Sequence, residues 1–257
     1  MAMSDLRINF VSSATPQADE AARILRKTYG NHSFEIADVV VVLGGDGLML
    51  QTLHRVINSN VPVYGMNFGS VGFLMNSFNS KNLPERIKMA EPTKIHPLFM
   101  TATDVRGEHH EALALNEVSL FRSSFQAAKI EILVDDKPRI DELICDGVLL
   151  STPAGSTAYN LSVHGPILPI SSPLLALTPI SPFRPRRWRG AILPNTAVVQ
   201  FNINEAKKRP VSAVADSRQI TEVIKVKVRE DRSHVVTLLF DPGQALEERV
   251  LNEQFSY

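Results

Sequence analysis

Gly44-Gly45-Asp46-Gly47 stands between an apolar, β-branched run, Val39-Val40-Val41-Val42-Leu43, and a segment in which Leu50, Leu53, Val56 and Ile57 recur at helical spacing. Glycines at such a junction let backbone amides approach a ligand closely, and the start of the following helix offers unpaired N–H groups and a partial positive charge. That combination suits a phosphate. It is not a P-loop, because the Lys-Ser/Thr ending is missing, and it is not the dinucleotide GxGxxG, because Leu50 stands where the third glycine would be. An aspartate inside a phosphate loop repels the ligand unless a divalent cation or a proton-transfer role compensates. The alternative is a tight turn in which Asp46 caps the next helix.

A second string, Asp146-Gly147 followed by Val148-Leu149-Leu150 and Ser151-Thr152-Pro153-Ala154-Gly155-Ser156-Thr157-Ala158-Tyr159, reads as a strand entering a turn, with a short helix opening near Ser156. Hydroxyls, amides and one aromatic face presented together suit a nucleoside, although an ordinary Pro-Gly loop has the same composition. Asn116-Glu117 interrupts an apolar strand between Leu113-Ala114-Leu115 and Val118-Ser119-Leu120. A glutamate accepting and an asparagine bridging would serve the two hydroxyls of a ribose; a bulge or a sheet edge explains the dipeptide equally well. No HxxxH, HExxH or cysteine-based spacing occurs, so no residue is assigned to a metal. His164 follows the Thr157 to Ser162 segment and either reaches the same pocket or bonds a backbone carbonyl. Arg184, Arg186, Arg187 and Arg189, with Phe183 and Trp188, form a basic cluster that reads as a solvated loop or a subunit contact rather than a nucleic-acid site.

The elements that must hold these residues change character along the chain. Up to about residue 95 strands and helices alternate: Arg7 to Ser12, a helix started by Thr15-Pro16, Val39 to Leu43, a second helix, and Val61 to Met66. This βαβ rhythm predicts a parallel sheet. Beyond it the period becomes two, in Ile130/Ile132/Val134, Val199/Phe201/Ile203 and Ile224/Val226/Val228, predicting a β-rich second domain with a turn at Asp135 to Pro138. The expected division is 1–95 plus 241–257 for the α/β domain and 96–240 for the β-rich domain. The tail from Gln244 to Phe255, with Leu246, Val250 and Leu251 at helical spacing, is expected to return to the first domain.

The 257 residues carry 27 Lys+Arg against 27 Asp+Glu, so no global field favours nucleic acid or an anionic membrane, and a polyanion must be gripped locally. With 44% hydrophobic and 21% charged residues the composition is that of a globular protein with a proper core. The single cysteine, Cys145, and an N-terminus without a long apolar stretch lead to an expected cytoplasmic location. No apolar window approaches the roughly 18 residues that a membrane span needs.

Taken in order, these segments resemble the NAD kinase family of the bacterial, ATP-dependent type. Gly44-Gly45-Asp46-Gly47 matches the family's GGDG, Asn67-Phe68-Gly69-Ser70-Val71-Gly72-Phe73-Leu74 its N-x-G-x-x-G-F-L segment, and Asn116-Glu117 its NE motif. Asp146-Gly147, then Ser151 to Tyr159 with Ser162, Gly165 and Pro166, matches the long DG…STPTGSTAY…S…GGP block. Ala154 departs from the usual threonine, Val163-His164 from Ala-Gly, and Asp216-Ser217 with Arg218-Gln219 follows the later D-G/S-Q stretch only roughly.

The resemblance implies a Rossmann-like α/β domain, a β-sandwich-like second domain, and phosphorylation of the adenosine 2′-hydroxyl of NAD to NADP by ATP or another phosphoryl donor. It implies that Asp46 orients and deprotonates that hydroxyl, and that Gly44, Gly45 and Gly47 face donor phosphates bridged by Mg²⁺. Asn67, Gly69 and Phe73 join the binding set through their matched segment. Asn116 and Glu117 are implied to hold the ribose. Thr157, Ala158, Tyr159, Asn160, Leu161 and Ser162 are implied to hold adenine and its neighbours, and Asp146 and Ala154 to line the dinucleotide pocket partly across a subunit boundary in a homo-oligomer, dimer or tetramer. No nucleic acid or membrane partner is expected. GGDG also occurs in diacylglycerol and sphingosine-type lipid kinases, the alternative enzyme; a non-catalytic NAD(P)-binding regulator is the alternative of a different class.

Overall fold

A computed structural model describes residues 6–69, 72–243 and 255. The expected tail helix lies outside these residues, except for Phe255, as do Ser70 and Val71. The chain divides into two compact units, Met1–Ile95 with His234–Tyr257, and His96–Ser233.

In the first unit β1 (Ile8–Ser12), α1 (Pro16–Tyr29), β2 (Val39–Gly44), α2 (Asp46–Val56), β3 (Val63–Asn67), α3 (Leu83–Met89) and β4 (Glu91–Ile95) follow in order. Its last strand, Val236–Phe240, is β17, because the strands of the second unit intervene. The sheet order is β1-β2-β3-β17-β4, parallel from β1 to β17, with β4 antiparallel at the edge. Every residue of β2 is buried, as a strand covered on both faces must be. Thr15 caps α1 by accepting from the Ala18 N–H at 3.4 Å, and Pro16 occupies the first turn. The helix then buries Ala18, Ala21, Ala22 and Leu25 in one core with Ile8, Phe10, Val39 and Val41. The phosphate-type loop therefore emerges at the carboxyl end of β2, beside the Asn67 end of β3, where open parallel sheets carry their ligands.

The second unit comprises β5 (Leu98–Asp104), β6 (His109–Ala114), β7 (Glu117–Arg122), β8 (Ala128–Val134), β9 (Lys137–Cys145), β10 (Gly147–Ser151), α4 (Tyr159–Ser162), β11 (Leu174–Ile180), β12 (Ala191–Pro194), β13 (Val199–Ile203), β14 (Val211–Ala215), β15 (Arg218–Ile220) and β16 (Val223–Glu230). Two antiparallel sheets, β12-β11-β10-β7-β14-β15 and β6-β5-β16-β13-β8-β9, form a sandwich. Leu120, Val148, Leu150 and Leu177 of one sheet share a core with Ile130, Ile132, Phe201 and Val226 of the other. Among the described residues no helix is long and apolar enough to cross a membrane.

Three sequence expectations are corrected. The alternation expected at Ile224 is out of phase, because a β-bulge between Val223 and Lys225 turns Val223 into the core and leaves Ile224 exposed. The strand Val236–Phe240, assigned to the β-rich domain by the 96–240 boundary, pairs instead with β3 and β4 of the first sheet, so the chain returns before residue 240. The helix expected near Ser156 is a 3-10 turn, Ala154–Thr157, followed by the four-residue α4, too short to focus a helix dipole on a ligand.

Candidate active site

Asp46 opens α2 but does not cap it. Its two carboxylate oxygens accept the backbone N–H groups of Phe73, at 2.8 Å, and Leu74, at 3.0 Å, so the side chain ties the glycine loop to the Gly72-Phe73-Leu74 segment. The residue after β3 is also joined to the loop, the Phe68 N–H donating to the Gly44 carbonyl at 2.8 Å, while Gly69 donates to the Asn67 Oδ1 at 2.9 Å. Four of the glycines nearby divide into two kinds. A Cβ on Gly44 would come within 2.8 Å of Leu48 Cδ2, and one on Gly72 within 2.9 Å of Met75 Cγ, so these positions are small for packing. A Cβ on Gly45 or Gly47 would meet nothing within 4 Å. Those two glycines leave open space beside backbone amides at a helix start, where a phosphate can approach.

In the second unit the Asn116–Glu117 dipeptide joins β6 to β7 with its backbone fully engaged. The Asp216 carboxylate accepts the N–H groups of Leu115 at 2.7 Å, Asn116 at 3.0 Å and Glu117 at 3.3 Å. The Asn116 carbonyl takes the Thr152 N–H at 2.9 Å and the Thr152 hydroxyl at 3.2 Å, and the Leu115 carbonyl takes that hydroxyl at 2.7 Å. Gly155 lies so close that a Cβ there would sit 2.1 Å from the Asn116 carbonyl oxygen. The side chains, by contrast, are unspent. Glu117 Oε2 is buried with no hydrogen-bond partner among the described residues. Burial first, and the Asp216 carboxylate second, push the Glu117 carboxyl up to about 7. A carboxyl that is poorly solvated and unpaired is a site waiting for a donor.

The Ser-Thr-Pro string behaves differently from its composition. Ser151, Thr152 and Ser156 are buried, and their hydroxyls bond backbone carbonyls, so they build the turn rather than line it. Asn160 is buried too: its amide donates to the carbonyls of Ser156 at 3.1 Å and Pro166 at 2.9 Å and accepts from Thr178 at 2.7 Å, which leaves nothing for a ligand. Ala154, Thr157, Ala158, Tyr159 and Leu161 are half-buried and Ser162 is exposed, with the Tyr159 ring 5.7 Å from that of Phe121. Asp146 is held by Arg122 Nε at 2.5 Å in a partly exposed ion pair. An open groove of about 580 Å³ beside Phe121 and Arg122, lined also by Ser212, Val214 and Gln219, includes none of the expected site residues.

His164 is exposed at φ +63°, and its backbone N–H donates to Leu161 at 2.9 Å. The arginines of 184–189 are all exposed. Asp104, Glu108 and His110 converge, but Arg106 pairs with both carboxylates, which disfavours a cation there. Burial pushes the Cys145 thiol up to about 12, so it is no nucleophile.

Both units match models of a single family: residues 5–90 the ATP-NAD kinase N-terminal domain, and residues 115–236 the ATP-NAD kinase C-terminal domain. The chain belongs to the NAD kinase family. It is 57% identical to an NAD kinase of Rhizobium meliloti (strain 1021) over 247 residues, 96% of either chain, and 58% identical to one of Caulobacter vibrioides over 250 residues, 97% of this chain and 96% of that one. The fold is also that of yeast NADH kinase complexed with NADH, with TM-score 0.84 at 21% identity over 98% of this chain and 88% of that chain. An NAD kinase from Archaeoglobus fulgidus in complex with ATP gives TM-score 0.79 at 20% identity, covering 98% and 99%. The lipid-kinase and non-catalytic alternatives fall with this assignment: the enzyme is an NAD kinase, and the family reaction is the phosphorylation of NAD to NADP.

Sequence reading missed two residues that shape this kinase. Asp216 stands in the sequence only as a loose motif match, though an aspartate at a two-residue hairpin tip, φ +49°, is a signal for backbone capture. Asn76, fully buried, donates to the carbonyls of Gly65 and Leu239 at 3.1 and 2.9 Å and accepts from Asp241 N–H at 2.9 Å, locking the segment after Leu74 to β3 and β17. Nothing in its sequence context distinguishes it.

Proposed function

We propose that this NAD kinase transfers the terminal phosphoryl group of ATP to the 2′-hydroxyl of the adenosine ribose, releasing NADP and ADP. The observation that carries the reading is the Asn116–Glu117 pair, whose backbone is completely used and whose side chains are not: the ribose 3′-hydroxyl supplies the donor that Glu117 Oε2 lacks, and the hydroxyl oxygens accept from the Asn116 amide. Asp46 is the catalytic residue. Its carboxylate, fixed at the start of α2 by the N–H groups of Phe73 and Leu74, aligns the 2′-hydroxyl and accepts its proton as the phosphorus–oxygen bond forms. In a loose transition state that proton leaves late, so an ordinary carboxylate suffices.

Gly44, Gly45 and Gly47 face the donor phosphates, and a divalent cation, Mg²⁺, enters with ATP as part of the substrate complex, compensating the lysine-free loop. Asn67, Gly69 and Phe73 shape the loop's neighbour. Ala154, Thr157, Ala158, Tyr159, Leu161 and Ser162 contact the nucleoside, and Asn160 acts by holding their turn. Asp146 completes the dinucleotide pocket, partly from a neighbouring copy in a homo-oligomer, and the enzyme works in the cytoplasm. The test incubates the protein with ATP, Mg²⁺ and either NAD or diacylglycerol vesicles, with NADP read by a coupled dehydrogenase. NADP formation is expected only with NAD; turnover of the lipid, or of neither, overturns the proposal.

A further inference from the structure

Asp216 sits at the tip of the β14–β15 hairpin, about 100 residues away in sequence from the dipeptide it touches. Its own N–H donates to the Glu117 carbonyl at 3.2 Å while its carboxylate collects three successive N–H groups, Leu115 to Glu117. Three donors in a row converging on one carboxylate fix the peptide planes of the whole link between β6 and β7. The directions of the Asn116 and Glu117 side chains follow from those planes. The three N–H groups use both carboxylate oxygens, which an amide with one oxygen cannot match, and the carboxylate also places a negative charge beside a buried, unpaired carboxyl, an arrangement that costs stability and so asks for a use.

We propose that Asp216 is a positioning residue for the acceptor sugar, setting the geometry of the Asn116–Glu117 pair so that the buried, unpartnered Glu117 Oε2 meets a ligand hydroxyl. This rests on the ribose reading of that pair. The groups that face Glu117 are the Asp216 carboxylate across the hairpin and the Tyr159 phenol of α4, itself shifted upward by burial and then by Glu117. Among the described residues no cation contributes to the shift of Glu117. The 2′-hydroxyl proton goes to Asp46, so the 3′-hydroxyl is the donor left for Glu117; Glu117 accepts it in the ionised form, and binding of NAD releases a proton near neutral pH.

Two measurements test this on the full chain. In wild type, calorimetric titration of NAD at pH 7 in two buffers of different ionisation enthalpy is expected to show release of about half a proton per site; no release overturns the proposal. Asp216→Asn keeps a residue suited to positive φ but loses the charge and one acceptor oxygen. It is expected to raise KM for NAD roughly 10- to 100-fold while KM for ATP stays within about threefold, and to move the acid limb of kcat/KM for NAD to lower pH. Asp216→Glu retains the charge but misplaces it by one methylene, and is expected to raise KM for NAD without moving the acid limb. Equal effects on both KM values, or an unmoved limb in Asp216→Asn, overturns the positioning role. Absence of wild-type turnover on NAD would instead retract the ribose reading beneath it.

Discussion

Replacing Glu117 by glutamine separates the cost of the site from its use. The folded carboxyl lies at about 7 against an ordinary 4.5, and at about 1.4 kcal/mol per unit the ionised form costs the fold about 3 kcal/mol. The sign is that of a raised carboxyl. Below the ordinary range folded and unfolded chains both hold the proton and the cost vanishes; it grows as pH rises from about 4.5 to about 7 and is fully present above. The linkage leaves about 1 kcal/mol of cost at pH 5 and about 3 kcal/mol at pH 8. Glu117→Gln should therefore gain about 2 kcal/mol more stability over wild type at pH 8 than at pH 5, a relative rise in Tm of about 4–8 °C. Any pH-independent penalty from the new amide cancels in that difference. Trp188, the protein's one tryptophan, packs against the sandwich core, so urea unfolding followed by its fluorescence reads the right unit. The same variant should lose affinity for NAD. An identical stability difference at the two pH values would refute the reasoning about Glu117.

Other substitutions divide the glycines and the asparagines by role. Gly155→Ala drives a Cβ into the Asn116 carbonyl and should cost about 1–3 kcal/mol or more in thermal unfolding, with NAD turnover lost in parallel. Gly45→Ala meets open space and should leave Tm unchanged while raising KM for ATP about tenfold or more; an unchanged KM would remove the loop from the donor site. Asn160→Ala strands the Thr178 hydroxyl and two buried carbonyls, so it should destabilise by about 2–4 kcal/mol, with KM for NAD near normal in the molecules that remain folded.

Much of the scaffold could be read directly because local and global preferences agree. The β-branched run at Val39 to Leu43 becomes the central, doubly covered β2, and Thr15-Pro16 starts α1 where capping chemistry requires it. Period-two alternation found the sandwich strands but carries no information on which sheet a strand joins. Val236, Leu238 and Phe240 alternate as the sandwich strands do, yet bury against the first sheet. The bulge at Ile224 is equally silent in sequence. The site motifs name segments, but not which of their side chains are spent on internal hydrogen bonds. Ser151, Thr152 and Asn160 have ligand-ready chemistry and spend it internally, on partners up to 37 residues away. Asp46 reads as a helix cap or a catalytic base; in the structure Gly45 holds the cap position of α2, and the Asp46 carboxylate accepts from the N–H groups of Phe73 and Leu74.

The central claim, that Asp46 aligns the sugar hydroxyl for phosphoryl transfer, is most directly tested by steady-state NADP formation with Asp46→Asn at saturating NAD and ATP with Mg²⁺. A fall in kcat of about 10²–10⁴, with KM for NAD within a few fold of wild type, is the required result. Turnover near the wild-type rate would contradict it.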